Sequence, residues 1–187
     1  MFEHVMVDLE TLGREPGSII ASIGAVKFDT EGETLGLEFY ANIDVQSCVD
    51  IGLTIGGETF RWWMDQPEEA RRALFSPTPM PLRDVLSAFA EFYKGSEFIW
   101  SHGSTFDTVI LDAAYRALKM GRPWLSKNTR DTRTLFDLVS QSVLDTVPSP
   151  GPSHHGLFDA IRQARMVQEA YRWLRREPCT TAMVSKG

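Results

Sequence analysis

Cysteine is nearly absent. Cys48 and Cys179 are the only two among 187 residues, and they stand alone, so neither a disulfide framework nor a thiolate zinc site is expected. Both read as reduced, structural thiols. Long apolar runs are missing too: charge or glycine interrupts every stretch well before the ~18 consecutive apolar residues of a membrane span, so no membrane contact is expected. There is no surplus of positive charge, since the net charge is −6 and the pI ≈ 5.2. That argues against a broad basic surface for gripping nucleic acid. It leaves open a protein that meets phosphates through metal ions, because those cations are not in the count. Met1-Phe2-Glu3-His4 carries an acid, lacks a basic segment and runs straight into strand-like sequence; no signal peptide is expected, and the location reads as cytoplasmic. No internal repeat or interdomain linker is visible.

What is present is a globular composition, 43% hydrophobic with 11% aromatic residues. It predicts one compact domain over residues 1–176, followed by a polar, small-residue flexible tail over 177–187. Three strands come first: His4 to Glu10, Ser18 to Phe28, and an alternating run from Leu35 to Ile43. Asp29-Thr30-Glu31-Gly32 is turn chemistry, so the second and third form a hairpin. From Asp44 the pattern dissolves. Thr59 suits the N-cap of a short helix carrying Trp62 and Trp63, and Gln66-Pro67-Glu68-Glu69 suits the start of another. Prolines 77, 79 and 81 make a loop. Leu82, Val85, Leu86, Phe89 and Phe92 follow helical spacing, Phe98-Ile99-Trp100 reads as a buried strand, and Val109 to Leu118 as a helix ended by Gly121 and Pro123. A helix from about Asp131 to Ser140, a loop from Pro148 to Ser153 and a long helix from Gly156 to about Arg176 complete the chain. A meander followed by alternating helix and strand means a mixed sheet with helices on its faces.

Three signals carry chemistry. Asp8 and Glu10 are two apart on a strand, so both carboxylates leave one face, and the neighbouring Val5 and Val7 imply a buried strand where unpaired acids are costly. Asp107 follows Phe106 in the first turn of a helix, where an acid alone would simply complement the helix dipole. His154 and His155 lie on a Pro/Gly/Ser loop, and Asp159, five residues after His154, opens the last helix. A loop histidine alone is more often solvated than functional. Together, Asp8, Glu10, Asp107 and Asp159 are hard oxygen donors on three elements that one sheet edge can gather, suited to Mg²⁺ or Mn²⁺.

In this order, Asp8-Leu9-Glu10-Thr11, Phe106-Asp107 and His154 to Asp159-Ala160 resemble the three exonuclease motifs of the DnaQ-like superfamily, and the histidine five residues before the last aspartate resembles its DEDDh branch. The resemblance spans about residues 1 to 175. Trp62-Trp63 with Gln66 and Glu69-Ala70-Arg71, and Arg130-Asp131-Thr132-Arg133-Thr134, look like the ribonuclease AS and phage-type exonuclease subfamily. Where the superfamily often has asparagine three residues before Phe-Asp, this chain has Gly103. The resemblance implies an α/β, ribonuclease H-like mixed central sheet with helices on both faces. It also implies a 3′ to 5′ exonuclease using two Mg²⁺ or Mn²⁺ ions on single-stranded RNA or DNA 3′ ends and releasing mononucleotides. Asp8 would bridge the ions, Glu10 and Asp159 would complete the one holding the attacking water, and Asp107 would serve the other. His154 would take the water's proton, a role suited to an imidazole with a reference pKa of ~6.5, and His155 is the competitor.

For substrate, the backbone of Thr11, Leu12 and Gly13 is expected near a terminal sugar, since Gly13 lets a chain come close. Phe106, Trp62 and Trp63 are candidates for stacking on bases, although Phe106 fits the core equally well and one tryptophan should be buried. Arg130 and Arg133 are candidate phosphate contacts. Arg162, Arg165, Arg172, Arg175 and Arg176 read as a solvated basic face. The Trp62-Trp63 helix is too aromatic for a solvated excursion, which suggests a homodimer. Two rival readings are a small-molecule phosphohydrolase and a catalytically silent nucleic-acid-binding module. Four converging acids argue against the second, because their repulsion costs stability.

Overall fold

In the computed structural model, which describes residues 2–75, 78–152 and 154–176, the first alternating run is a strand, β1 (His4–Thr11). Val5, Val7 and Leu9 enter one apolar cluster and Met6 a second on the opposite side, as a period of two requires. Asp8 and Glu10 share Met6's side. β2 (Ile20–Phe28) pairs antiparallel with β1, and β3 (Leu35–Asn42) antiparallel with β2. β4 (Phe98–Ser101) and β5 (Thr129–Asp131) add in parallel on the other flank, giving the order β3-β2-β1-β4-β5.

Two helical layers cover the sheet. The first cluster is closed by α1 (Val45–Val49), α2 (Gly57–Met64), α3 (Glu68–Leu74), α4 (Leu82–Tyr93) and α5 (Asp107–Ala117). In α4, Leu82, Val85, Leu86 and Phe89 are fully buried at helical spacing. The second cluster is closed by α6 (Thr132–Phe136), α7 (Gln141–Leu144) and α8 (Gly156–Arg176). This is the ribonuclease H-like arrangement with helices on both faces. Among the described residues no helix is long and apolar enough to cross a membrane.

Several local expectations are corrected. The segment after Asp44 is helical, with the Asp44 carboxylate capping α1 by accepting from Gln46 N. Gly56 caps α2, and Thr59 lies inside it. The helix expected over 131–140 is shorter: Asp131 closes β5 and caps α6, which stops at Phe136, and a separate helix, α7, starts only at Gln141. Three-residue β5 is too short to display a period. β2 starts at Ile20, with Ser18 bridging to Thr54 instead. Helix α5 ends at Ala117, four residues before Gly121, and Lys119 turns left-handed at φ 56°. Cys179, the expected tail, Ser76 and Pro77 of the proline loop and Ser153 of the 148–153 loop lie outside the described residues.

Two features of the fold prepare the site. β4 pairs with β1 only from His4 to Met6, so the edge of β1 beyond Met6 is open on that flank. On the α8 side, Gly24 stands opposite Asp8, and a Cβ there would overlap the carbonyl carbon of Gly156 and the nitrogen of Leu157. A Cβ on Gly156 would in turn lie 3.0 Å from the Asp8 carbonyl oxygen. Two glycines thus let the first turn of α8 rest directly on the sheet beside the acids.

Candidate active site

At the C-terminal end of β1, Asp8, Glu10 and Asp159 each offer a carboxylate oxygen within 4.8 Å of the others. Asp159 reaches the pair from the first turn of α8. Asp107 arrives from the open edge: it is buried, and its Oδ1 accepts a hydrogen bond of 3.1 Å from Leu9 N, between the two strand acids. Among the described residues none of the four acids forms a salt bridge.

The electrostatic consequence is mutual protection of protons. Burial, then the charges of Asp107 and Glu10, raise Asp8 well above the usual carboxylate range, opposed by a hydrogen bond from Gln163. Glu10 is raised to about 8 by burial, then by Asp159 and Asp107. Asp107 is raised to about 7 by burial, against the Leu9 hydrogen bond. Asp159 is raised by burial, against a hydrogen bond from His154 N. Four hard-oxygen donors that cannot all ionise without a counter-charge fit a divalent cation well.

The two histidines have separate environments. His154 sits at φ 62°, its N–H donates to Asp159 Oδ2 at 3.0 Å, and its ring stands edge-on to Trp62 with centroids 5.0 Å apart. His155 is sandwiched between Tyr40 (4.4 Å) and Phe158 (4.3 Å), its Nδ1 buried without a hydrogen-bond partner among the described residues. Burial lowers its pKa.

The tryptophans divide as expected. Trp63 is 2% exposed, and its Nε1 donates to the Thr11 carbonyl at 2.9 Å. Trp62 is 43% exposed beside His154. Phe106 packs against the first core cluster. The backbone of Thr11, Leu12 and Gly13 is occupied internally: their carbonyls accept from Trp63 Nε1, Gly56 N and Thr11 Oγ1. Gly13 is favoured because a Cβ would strike Ser18 Oγ and stand 3.2 Å from Gly56 N.

The arginines also separate. Arg130 lies over the Phe98 ring at 4.5 Å and donates to Lys127 O and Thr129 O; it belongs to the His4 end of the sheet and not to the acid cluster. Arg133 is exposed, and its Nη1 lies 3.0 Å from where a Cβ of residue 103 would stand. Gly103 itself turns at φ 104°, a conformation that favours glycine, and its carbonyl accepts from Phe106 N ahead of Asp107. Sequence reasoning missed Gln163, whose Nε2 donates to Asp8 Oδ1 at 2.8 Å. Its i, i+4 relation to Asp159 on one helix face was the available signal. It also missed Asp131, which accepts from the nitrogen and hydroxyl of Ser104 and from Arg133 N, tying the β5–α6 corner to the loop ahead of Asp107.

A family model described as the 3′-5′ exoribonuclease Rv2179c-like domain matches residues 3–171. No curated protein matches the chain significantly. Among solved structures, the chain is similar to the nuclease domain of 3′hExo, a DEDDh family member bound to rAMP. The TM-score is 0.61 at 16% identity, covering 93% of this chain and 92% of that one. It is similar to cell-death related nuclease 4, with TM-score 0.66, 12% identity, and coverage of 92% and 64%. It is also similar to S. pombe Pop2p in its Mg²⁺- and Mn²⁺-bound form, with TM-score 0.61, 15% identity, and coverage of 90% and 82%. At these identities the three structures share the fold.

Proposed function

The chain belongs to the Rv2179c-like 3′-5′ exoribonuclease family, and we propose that residues 1–176 form one catalytic unit that removes mononucleotides from single-stranded RNA or DNA 3′ ends in the cytoplasm. The observation that carries this reading is the convergence of Asp8, Glu10 and Asp159 within 4.8 Å, with Asp107 joined to the same strand through Leu9 N.

Asp8, Glu10, Asp159 and Asp107 are the residues that would hold two Mg²⁺ or Mn²⁺ ions. When bound, such a pair supplies charge to polarise the scissile phosphate and acidify the attacking water. The rest falls to the chain. His154, held to Asp159 through its backbone and on a loop beside the acids, takes the water's proton at its imidazole. The His155 ring is enclosed between Tyr40 and Phe158, which supports His154 as the base. The exposed Trp62 offers a stacking face to a terminal base without regard to sequence, and Trp63 braces the end of β1 through Thr11. Arg133, exposed beside Gly103, meets a phosphate. Phe60, Trp62 and Met64 on α2 are each about half exposed, which supports a second copy of the chain covering them.

The test is digestion of matched 5′-labelled RNA and DNA oligomers with Mg²⁺ or Mn²⁺. The expected result is stepwise shortening from a free 3′ hydroxyl and resistance of a 3′-phosphorylated end. Turnover of nucleoside monophosphates but not oligomers would favour a small-molecule phosphohydrolase. Binding without cleavage at saturating metal would favour a silent module.

A further inference from the structure

Gln163 lies on α8 one turn beyond Asp159, next to the buried row of Gly156, Ala160 and Ala164 that rests on the sheet. Its amide faces two ways. Nε2 donates to Asp8 Oδ1 at 2.8 Å, whereas Oε1 is buried and has no hydrogen-bond partner among the described residues. Leaving a buried carbonyl unsatisfied is costly, so the amide's orientation is not set by its oxygen. Against an ionised Asp8, the form a metal ligand takes, the flipped amide would set Oε1 facing the carboxylate, two acceptors together, which is worse. The side chain is therefore retained for its N–H, and that N–H serves one acceptor, the acid at the centre of the cluster. Of the other three acids, Asp107 accepts from Leu9 N and Asp159 from His154 N, both backbone donors, and Glu10 accepts no side-chain or loop hydrogen bond among the described residues.

We infer that Gln163 is a positioning residue that fixes the Asp8 carboxylate rotamer, by a hydrogen bond to Oδ1, so that Asp8 presents its other oxygen to a divalent ion. A neutral amide suits this place. A lysine or arginine there would neutralise Asp8 and compete with the metal, and an acid would add a fifth repelling charge. Partners of this kind around metal-ligating groups are worth ~10–100-fold in metal affinity. The inference rests on the metal-nuclease reading above and adds a residue that the three sequence motifs do not contain.

The test is Mn²⁺ titration by calorimetry on metal-free wild type, Gln163→Met and Gln163→Asn, with metal-free melting temperatures measured alongside. Met keeps the length and loses the donor; Asn keeps the amide but falls one methylene short. Both should bind Mn²⁺ ~10–100-fold more weakly at a melting temperature close to wild type, and KM for an oligonucleotide at saturating Mn²⁺ should stay unchanged. Wild-type Mn²⁺ affinity in either folded variant overturns the inference, and if the Met variant does not fold, Asn decides alone. The two failures are distinguishable: absence of Mn²⁺ binding by the wild type sinks the metal reading itself, whereas wild-type binding shared by the variants sinks only the role of Gln163.

Discussion

At its first turn α8 brings Asp159 against Asp8 and Glu10, three carboxylates within 4.8 Å of one another, none of them salt-bridged among the described residues. At its last turns the same helix sets Arg172 against Glu169 at 2.5 Å and Glu33 at 3.8 Å, and Arg175 against Glu31 at 3.2 Å. One end gathers like charges; the other pairs opposite charges on the surface. The second arrangement needs no explanation beyond solubility and a few tenths of a kcal/mol. The first is unfavourable on its own and is built where Gly24 of β2 and Gly156 let the first turn of α8 rest directly on the sheet. Strain held by the surrounding fold marks a functional place more reliably than a favourable contact does.

The sharpest way to break the contrast is to remove the acid at its centre. Asp8→Ala should lose detectable nuclease activity and also the stabilisation that Mn²⁺ gives. In the wild type that gain is about 2.7 kcal/mol at a metal concentration 100 times Kd. Thermal melts with and without millimolar Mn²⁺ check it, and a variant still stabilised like wild type would mean the cluster does not bind the ion. His154→Asn comes next. It should keep the Mn²⁺ shift and lose ~10²–10⁴-fold in kcat. His155→Phe, which keeps a ring between Tyr40 and Phe158, should stay near wild type. If the two histidine variants exchange these outcomes, the base lies one residue later.

A smaller effect concerns pH in the absence of metal. Asp8 and Asp159 are raised by burial, Glu10 to about 8 and Asp107 to about 7, while their unfolded values lie near ~4. The folded state therefore binds more protons than the unfolded state between these limits. The stabilisation is complete below ~4 and is lost as pH rises through 7 to 8. Metal-free melting temperature should fall across that window, and saturating Mn²⁺ should flatten the fall by favouring the ionised carboxylates. A flat metal-free profile would mean the acids are not crowded as described.

Much of this site is legible in the sequence, because its chemistry sits on local patterns. A two-residue carboxylate spacing on a strand and an aspartate in each of two first turns need only periodicity. What stayed hidden depends on contacts between segments far apart in sequence. Gln163 reaches Asp8 across 155 positions, and Gly24 matters because Gly156 arrives from the other end of the chain. Gly13 has a second reason to be glycine that the sequence does not display, since Ser18 and Gly56 leave no space for a Cβ there. Arg130 and Arg133 are indistinguishable as letters; the cation–π contact with Phe98 takes the first away from the acids. Short elements were lost for a different reason: α1, α7 and β5 have too few residues to show a period.

The smallest predicted effect lies at the far end of α8. Arg175 and Glu31 have side chains 45% and 82% exposed, so solvent and salt screen the pair. The guanidinium also lies 5.6 Å from the Tyr171 ring centroid, an exposed contact worth ~0.5–1 kcal/mol. Arg175→Ala should therefore cost under about 1 kcal/mol in urea unfolding and leave kcat, KM and Mn²⁺ affinity at wild-type values. Raising the salt concentration should shrink even that cost. A variant that folds normally yet binds oligonucleotides several-fold more weakly would give a different picture. The basic end of the helix would then be part of the substrate path, and the division between a working end and a merely soluble end would have to be redrawn.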